Sequence, residues 1–375
     1  MADIHSFGVA PVSCHAFNKD RTKVAVSLNN TDVEIYDKDS VGWKPTPSHT
    51  LAKHDLRVTS IDWAPISNRI VTCSADRNAY VWNFDGKTWN PVLVHLRINR
   101  AATFVRWSPK ENKFAAGSGA KLVSVCFFVE DNNWWLSKHI KKPMRSTITC
   151  LDWHPNNVLL ATGCTDFRTR VFSAYIKEIE EKPESTPWGA RMPLAQLLAE
   201  FPAAGWVHGV AFSPDGTRVA WVSHDSSIAV ATAGSKHVAS FNMTGMPLLK
   251  CIWLSPAKIV AAGFDCYPML FEVTNNGIKF ISSLDKQKKI EGGGSVSAMR
   301  MFRDMDKLSI DSASGPDSTG SGVVATLHQN TITSVSAHTT TGDKVAKFAT
   351  SGVDSRLIIW DVKALESSLG DIRLH

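Results

Sequence analysis

No run of apolar residues in this sequence approaches the roughly 18 that cross a bilayer as a helix. The N-terminus also lacks a basic stretch followed by an apolar one, so neither a membrane span nor a secretory leader is expected. Cysteine is scarce: seven residues, at 14, 73, 126, 150, 164, 251 and 266, with no Cys-x-x-Cys pair. An odd number lying mostly in apolar runs reads as reduced core thiols rather than a disulfide framework or a metal set. The Asn29-Asn30-Thr31 and Asn242-Met243-Thr244 sequons carry no meaning in the cytosolic protein this implies.

Catalytic signatures are missing as well. There is no His-Glu-x-x-His, no Gly-x-Ser-x-Gly elbow and no phosphate loop ending in Lys-Ser/Thr. Gly117-Ser118-Gly119-Ala120-Lys121 imitates the last, but it falls at a strand turn of a repeat and reads as a β-turn. No catalytic residue, metal ligand or cofactor is expected, and the chain is expected not to be an enzyme.

Repetition is what the sequence does contain. Small residues lead to a turn Asp, with an aromatic six positions later: Cys73-Ser74-Ala75-Asp76 with Trp82, Cys164-Thr165-Asp166 with Phe172, Gly263-Phe264-Asp265 with Phe271, and Gly352-Val353-Asp354 with Trp360. Upstream stands a second element, as in Ile61-Asp62-Trp63-Ala64-Pro65 and Leu151-Asp152-Trp153-His154-Pro155. Its prolines, at 65, 109, 155, 214 and 256, recur every 42 to 59 residues. That is close to the length of a four-stranded propeller blade. Segments such as 58–63, 69–73 and 79–82 are short, β-branched and aromatic, and turn residues bound them, as in hairpin-linked strands.

One such unit cannot bury both its faces, whereas a radial array can. The fold expected is all-β, a single seven-bladed propeller over residues 1–375, with blades starting near Val12, Val58, Thr103, Thr147, Val207, Leu249 and Ile332. The last copy, Leu357-Ile358-Ile359-Trp360-Asp361-Val362, has little chain left for a fourth strand, so residues 4–10 are expected to supply it. Some copies are degenerate: Asn30 and Ala120 replace the turn Asp, and Ala231 replaces the aromatic. Asp76, Asp166, Asp225, Asp265 and Asp354 fall one per blade, so they are structural and too far apart for a paired acid and base. His54, His328 and His208 are expected to hydrogen-bond within their own blades.

The net charge of +6 concentrates at Lys138, Lys141, Lys142 and Arg145 and again at 286–289. Solvated loops, an acidic protein surface and nucleic acid are the available readings. With no aromatic-interleaved groove or nucleic-acid motif, a protein partner is preferred over nucleic acid. Two segments interrupt the repeat: 176–198 in blade four and 285–327 between blades six and seven. Insertions in repeat proteins map to surface loops and often to the binding face. Within the second, residues 297–308 read as a short projecting helix. Met301, Phe302, Met305 and Leu308 fall on an arc of about 120° at 100° per residue. A helix this short is marginal alone, so its apolar face needs cover, from the propeller's own flank or from a groove on another protein.

Several strings exceed a generic blade signature: His139-Ile140-Lys141-Lys142-Pro143, Phe172-Ser173-Ala174-Tyr175-Ile176-Lys177, Thr186-Pro187-Trp188-Gly189, Gly205-Trp206-Val207-His208-Gly209-Val210 and Arg218-Val219-Ala220-Trp221-Val222-Ser223-His224-Asp225. In these the chain resembles the WD-repeat subunit, subunit 1, of the actin-related protein 2/3 complex, from the first blade to Ile358-Ile359-Trp360-Asp361-Val362-Lys363. The resemblance implies a non-catalytic scaffold in an assembly that nucleates branched actin filaments. Its implied partners are actin-related protein 2, the smaller subunits, the actin filament and nucleation-promoting factors, with neither nucleic acid nor membrane among them. The implied location is the cytoplasm, at cortical actin and actin patches. The second insert is implied to touch actin, with Phe302, Met305, Asp306 and Lys307 matching the family's pattern of Phe, an apolar residue three later, then Asp-Lys. A WD-repeat adaptor of another assembly would share the fold. An enzyme on this fold would need converging polar groups in the central channel.

Overall fold

The computed structural model describes residues 2–40, 42–274, 276–285 and 326–369. The first two strands in the chain, β1 (Asp3–Ser6) and β2 (Cys14–Phe17), belong to different blades. Blade one continues with β3 (Lys23–Ser27), β4 (Asp32–Asp37) and β5 (His49–Ala52). Blade two is β6 (Val58–Trp63), β7 (Ile70–Ser74), β8 (Ala79–Phe84) and β9 (Trp89–Val94). Blade three is β10 (Ala102–Trp107), β11 (Lys113–Ser118), β12 (Val123–Val129) and β13 (Trp134–Ile140). Blade four is β14 (Ile148–Trp153), β15 (Leu159–Cys164), β16 (Arg168–Ser173) and β17 (Leu197–Pro202). Blade five is β18 (Val207–Phe212), β19 (Arg218–Ser223), β20 (Ser227–Thr232) and β21 (Val238–Asn242). Blade six is β22 (Leu248–Ser255), β23 (Lys258–Gly263), β24 (Met269–Thr274) and β25 (Gly277–Ser283). Blade seven is β26 (Ile332–Thr341), β27 (Lys344–Gly352) and β28 (Arg356–Asp361), with β1 as its outer strand.

The second strand of each blade shows why this architecture suits the sequence. Ile70–Ser74, Leu159–Cys164 and Lys258–Gly263 are buried along their whole length, because a neighbouring blade covers each face. The apolar core is accordingly divided into wedges. Trp63, Ile70 and Trp82 fill the wedge between blades one and two, Trp107 and Trp135 the next, and Leu254, Phe348 and Trp360 that between six and seven.

Hydroxyls stitch the wedges near the axis. The innermost strands of blades two to seven carry a β-bulge near their start. A bulge re-aims its extra side chain, and in four blades that residue is a Thr directed at the next blade. Thr59 donates to Ala102 O at 2.9 Å, Thr103 to Ile148 O at 2.5 Å, and Thr333 to Val12 O at 2.7 Å. Thr149 donates likewise to Val207 O. In blade five the same position holds His208, inside the inner strand.

Ring closure uses the N-terminus as expected, over a shorter span. β1 pairs antiparallel with β28, from Asp3 opposite Ile359 to Ser6 opposite Arg356. Beyond it the chain turns while still attached: Phe7 N donates to Ser355 O at 3.0 Å, and Ser355 Oγ to Ala10 O at 2.6 Å. After β28 comes a short helix, α1 (Val362–Leu369), whose first turn is capped by Asp361 Oδ1 accepting from Ala364 N at 3.1 Å. Among the described residues no helix is long and apolar enough to cross a membrane.

The insert in blade four corrects an expectation. It joins β16 to β17 and therefore runs over 174–196, with Leu197 and Leu198 already in strand. It lies against the ring rather than standing off it as a binding loop: Ile176, Trp188 and Met192 are all buried. Trp188 packs on Phe212 at 5.9 Å between ring centroids and on Phe201 at 6.4 Å. The segment's acids include Glu180, whose carboxylate pairs with the fully buried Lys113 of blade three. A Pro- and Glu-rich stretch is thus a strap across blades three to five.

Candidate interaction surfaces

In an antiparallel meander the turns between second and third strands and the connections between blades share one face. That face, here called the connection face, holds the turn Asp residues. In blade two, His54 Nδ1 meets Asp76 Oδ2 at 2.8 Å and Nε2 meets Thr72 Oγ1 at 2.8 Å, while Trp82 Nε1 donates to the same hydroxyl at 3.0 Å. Blade seven repeats this with His328, Asp354, Thr350 and Trp360. Burial pulls the His54 imidazole below its ordinary pKa in spite of Asp76. A buried ring locked between a carboxylate and a hydroxyl has a structural role. Blade four departs from the pattern: Asp166 pairs at 2.9 Å with Arg170, which is buried, and Phe172 lies wholly in the core. Burial pushes the Asp265 carboxyl up in blade six, where it accepts from Met246 N at 3.0 Å.

These carboxylates share a second duty. Asp76 accepts from Asp55 N at 3.1 Å, Asp166 from Arg145 N at 3.0 Å, and Asp354 from Gln329 N at 2.8 Å. Each clamps the incoming connection from the preceding blade.

The predicted basic cluster divides. Lys141, Lys142 and Arg145 are exposed on the connection face, in the link from blade three to blade four. Lys138 lies instead on the outer strand β13, where its ammonium pairs at 2.7 Å with Glu178 of the strap. It is therefore spent on an internal contact. The ring adds cations that are distant in sequence: Arg57, Arg77, Arg100 and Lys121 are exposed on the same face at blades two and three. Sequence spacing offered no sign of this sector, since its members come from five separate loops. The face also exposes apolar side chains singly, among them Leu56, Phe167, Trp206 and Met246.

The second insert leaves and re-enters on this face, and its ends are tied, with Leu327 N donating to Asp285 Oδ2 at 2.6 Å. Met301, Phe302, Met305 and Leu308, and the expected helix that carries them, lie outside the described residues.

The axial cavity, of about 400 Å³, is the remaining place for chemistry. Arg106 stands there beside Asp152 at 3.4 Å, with Asp62 also offsetting its charge. Both carboxylates are engaged with backbone of the next blade: Asp62 accepts from Trp107 N at 2.7 Å and Asp152 from Phe212 N at 2.8 Å. They hold neighbouring blades in register and are not placed as an acid and base pair. Among the described residues no three His, Cys, Asp or Glu side chains converge as a metal set. The cysteines are free, six of them buried, and burial pushes the Cys14 and Cys150 thiols up to about 11.

Known proteins share this arrangement. A family model described as "WD domain, G-beta repeat" matches residues 45–83, 135–173 and 195–231. Each match begins on the outer strand of one blade and runs through the first three strands of the next. That offset is why the N-terminus must complete the last blade. The chain is 52% identical over 376 residues to actin-related protein 2/3 complex subunit 1A-A of Xenopus laevis, which covers 99% of both chains. It is 43% identical to actin-related protein 2/3 complex subunit 1 of Schizosaccharomyces pombe, over 92% of this chain and 95% of that one. With subunit 1B of the same complex from Arabidopsis thaliana it shares 40% identity over 99% of each.

Proposed function

Because the chain belongs to the family of actin-related protein 2/3 complex subunit 1, we propose that it is a non-catalytic scaffold subunit of that complex in the cytoplasmic actin cytoskeleton. In this role it supports nucleation of branched filaments and holds actin-related protein 2 and the smaller subunits. The observation that carries the reading is the connection face. It gathers the basic sector of Lys141, Lys142, Arg145, Arg57 and Arg77 on the same side as both ends of the 285–327 insert. A rigid ring presenting positive charge suits acidic segments of nucleation-promoting factors, since complementary charge speeds encounter and fixes orientation. The insert then reaches the filament, with Phe302 and Met305 as apolar anchors and Met301 and Leu308 beside them. A Met-rich face can repack against its target.

Native mass spectrometry of the tagged chain from its own cell extract tests the scaffold. A single assembly with two actin-related proteins and the small subunits is expected. A lone propeller, or one bound to unrelated proteins, overturns the reading. The anchor is tested separately by replacing Phe302 and Met305 with Ala: filament side-binding should fall while assembly persists, and unchanged branching removes the anchor.

A further inference from the structure

Serine or threonine followed by proline occurs at Thr46-Pro47, Ser108-Pro109, Thr186-Pro187, Ser213-Pro214 and Ser255-Pro256. The repeat itself supplies the three serines, since its recurring prolines follow the inner strand of a blade. All three are buried. Ser108 Oγ donates to Asn112 Oδ1 at 3.2 Å, and Ser213 Oγ to Asp215 Oδ1 at 2.5 Å. Thr186 is half-buried in the strap, where its hydroxyl accepts from Trp188 N at 3.2 Å and so helps to seat that anchor. Thr46 differs from the other four. It is exposed, and its hydroxyl has no hydrogen-bond partner among the described residues.

The local backbone suits a modifying enzyme. Thr46 lies in the link from β4 to β5, at the end of the blade opposite the connection face, and residues 44–48 are exposed in an unbroken run. The ends of that run are pinned: Lys44 N donates to Asp37 O at 2.8 Å, and Ser48 N to Ile35 O at 2.7 Å. Between the pins, Pro45 and Pro47 carry no N–H. A residue that precedes proline is biased towards extended backbone, and Lys44 and Thr46 both precede one. A kinase binds its substrate segment extended, so this loop meets the requirement without local unfolding. Thr186, by contrast, would have to leave its turn with Trp188.

We infer that Thr46 is a phosphoacceptor site for a proline-directed serine/threonine kinase. Its hydroxyl oxygen attacks the γ-phosphorus of MgATP and the bond to the β-phosphate oxygen breaks, so that ADP leaves while the hydroxyl proton passes to the kinase's catalytic Asp. The product carries a charge of about −1.5 to −2 at pH 7. That charge stands on the face away from Lys141, Lys142 and Arg145. Modification therefore marks one side of the ring without neutralising the surface on which the scaffold reading rests, and either can fail while the other stands.

The test incubates the full chain with a purified, active mitogen-activated protein kinase and MgATP, with phosphopeptides quantified by mass spectrometry. Phosphorylation is expected at Thr46 and is lost in Thr46→Val. Pro47→Ala keeps the acceptor but restores an N–H that the kinase leaves unpaired, which should slow incorporation by about tenfold or more. Both changes lie in an exposed loop pinned at its ends, so the ring stays folded. No incorporation at Thr46 overturns the site, and an equal rate in Pro47→Ala overturns the kinase class. Ser108 or Ser213 modified as fast as Thr46 in the folded chain overturns selection by exposure.

Discussion

The indole N–H of Trp188 donates to the carbonyl of Gly216 at 2.8 Å, across the boundary between blades four and five. His154 Nε2 meets the same oxygen at 3.0 Å, and its Nδ1 accepts from Asn156 N, so the ring is the tautomer that donates from Nε2. Gly216 has φ +71°, and a Cβ there would stand 2.1 Å from His154 Nε2, which reserves the position for glycine. Trp188→Ala should cost about 3–5 kcal/mol, as for other large core truncations. Trp188→Phe, which keeps most of the packing, should cost about 1 kcal/mol for the lost hydrogen bond. Urea unfolding of the two variants checks this ordering, and equal small losses would mean that the strap is only laid on the ring.

The turn carboxylates should not be equivalent. Asp76→Ala leaves the buried His54 imidazole without one of its two partners and should cost about 1–3 kcal/mol. In Asp166→Ala the deprived group is a guanidinium with a side chain only 3% exposed. Its other partner, Glu200, is 36% exposed and screened by solvent. A loss of about 3 kcal/mol or more is expected there. Thermal unfolding of both variants decides, and the reverse order would show that Glu200 suffices.

Ring closure by β1 is non-covalent, four residues long and backed by Phe7, which packs on Tyr36 with centroids 4.5 Å apart. Deleting residues 1–10 exposes the edge of β28 and empties the Phe7 site. The melting temperature should fall by more than about 5 °C, given the cost of losing one buried Phe alone. Differential scanning calorimetry on the truncated chain would show no such drop if the ring were closed by its wedges without this strand.

Those three sites differ in how far the sequence announced them. Blade starts were legible to within two residues, at Val58, Ile148 and Ile332 for example, because inner strands alternate and their Pro and Asp punctuation recurs. That His54 bonds within its own blade was legible for the same reason, being contained in one repeat, but the pattern did not single out Asp76 as its carboxylate partner. Contacts between repeats were not legible. The Thr59, Thr103, Thr149 and Thr333 hydroxyls share a position in the repeat, but their acceptors lie in the following blade and the bulge that aims them leaves no compositional mark. Composition misled in the strap, where Glu and Pro outnumber Ile176, Trp188 and Met192, yet those three residues decide its burial. It misled at Lys138 too, since Glu178 is 40 residues away in sequence and 2.7 Å away in space.

Acid should weaken the ring through His15. Its side chain lies between Ser351 Oγ and Ser336 Oγ, each at 2.7 Å, so it joins β2 of the first blade to the last. Burial, and then the nearby His338 and His328, push its pKa down to about 3. An unfolded imidazole titrates near its ordinary value of about 6.5. Between those two values the unfolded chain binds a proton that the folded one refuses, so stability falls as pH falls. The contribution is intact above about pH 6.5 and erodes by up to about 1.4 kcal/mol per pH unit below it, or about 2 kcal/mol by pH 5. His338 and His208, each lowered to about 4 chiefly by burial, act in the same direction. In His15→Gln the slope of unfolding free energy against pH should flatten by about one proton between pH 6.5 and 5, whatever the variant's loss at neutral pH. Urea titrations at pH 7, 6 and 5 measure that slope, and an unchanged slope would show that His15 carries its proton in the folded ring.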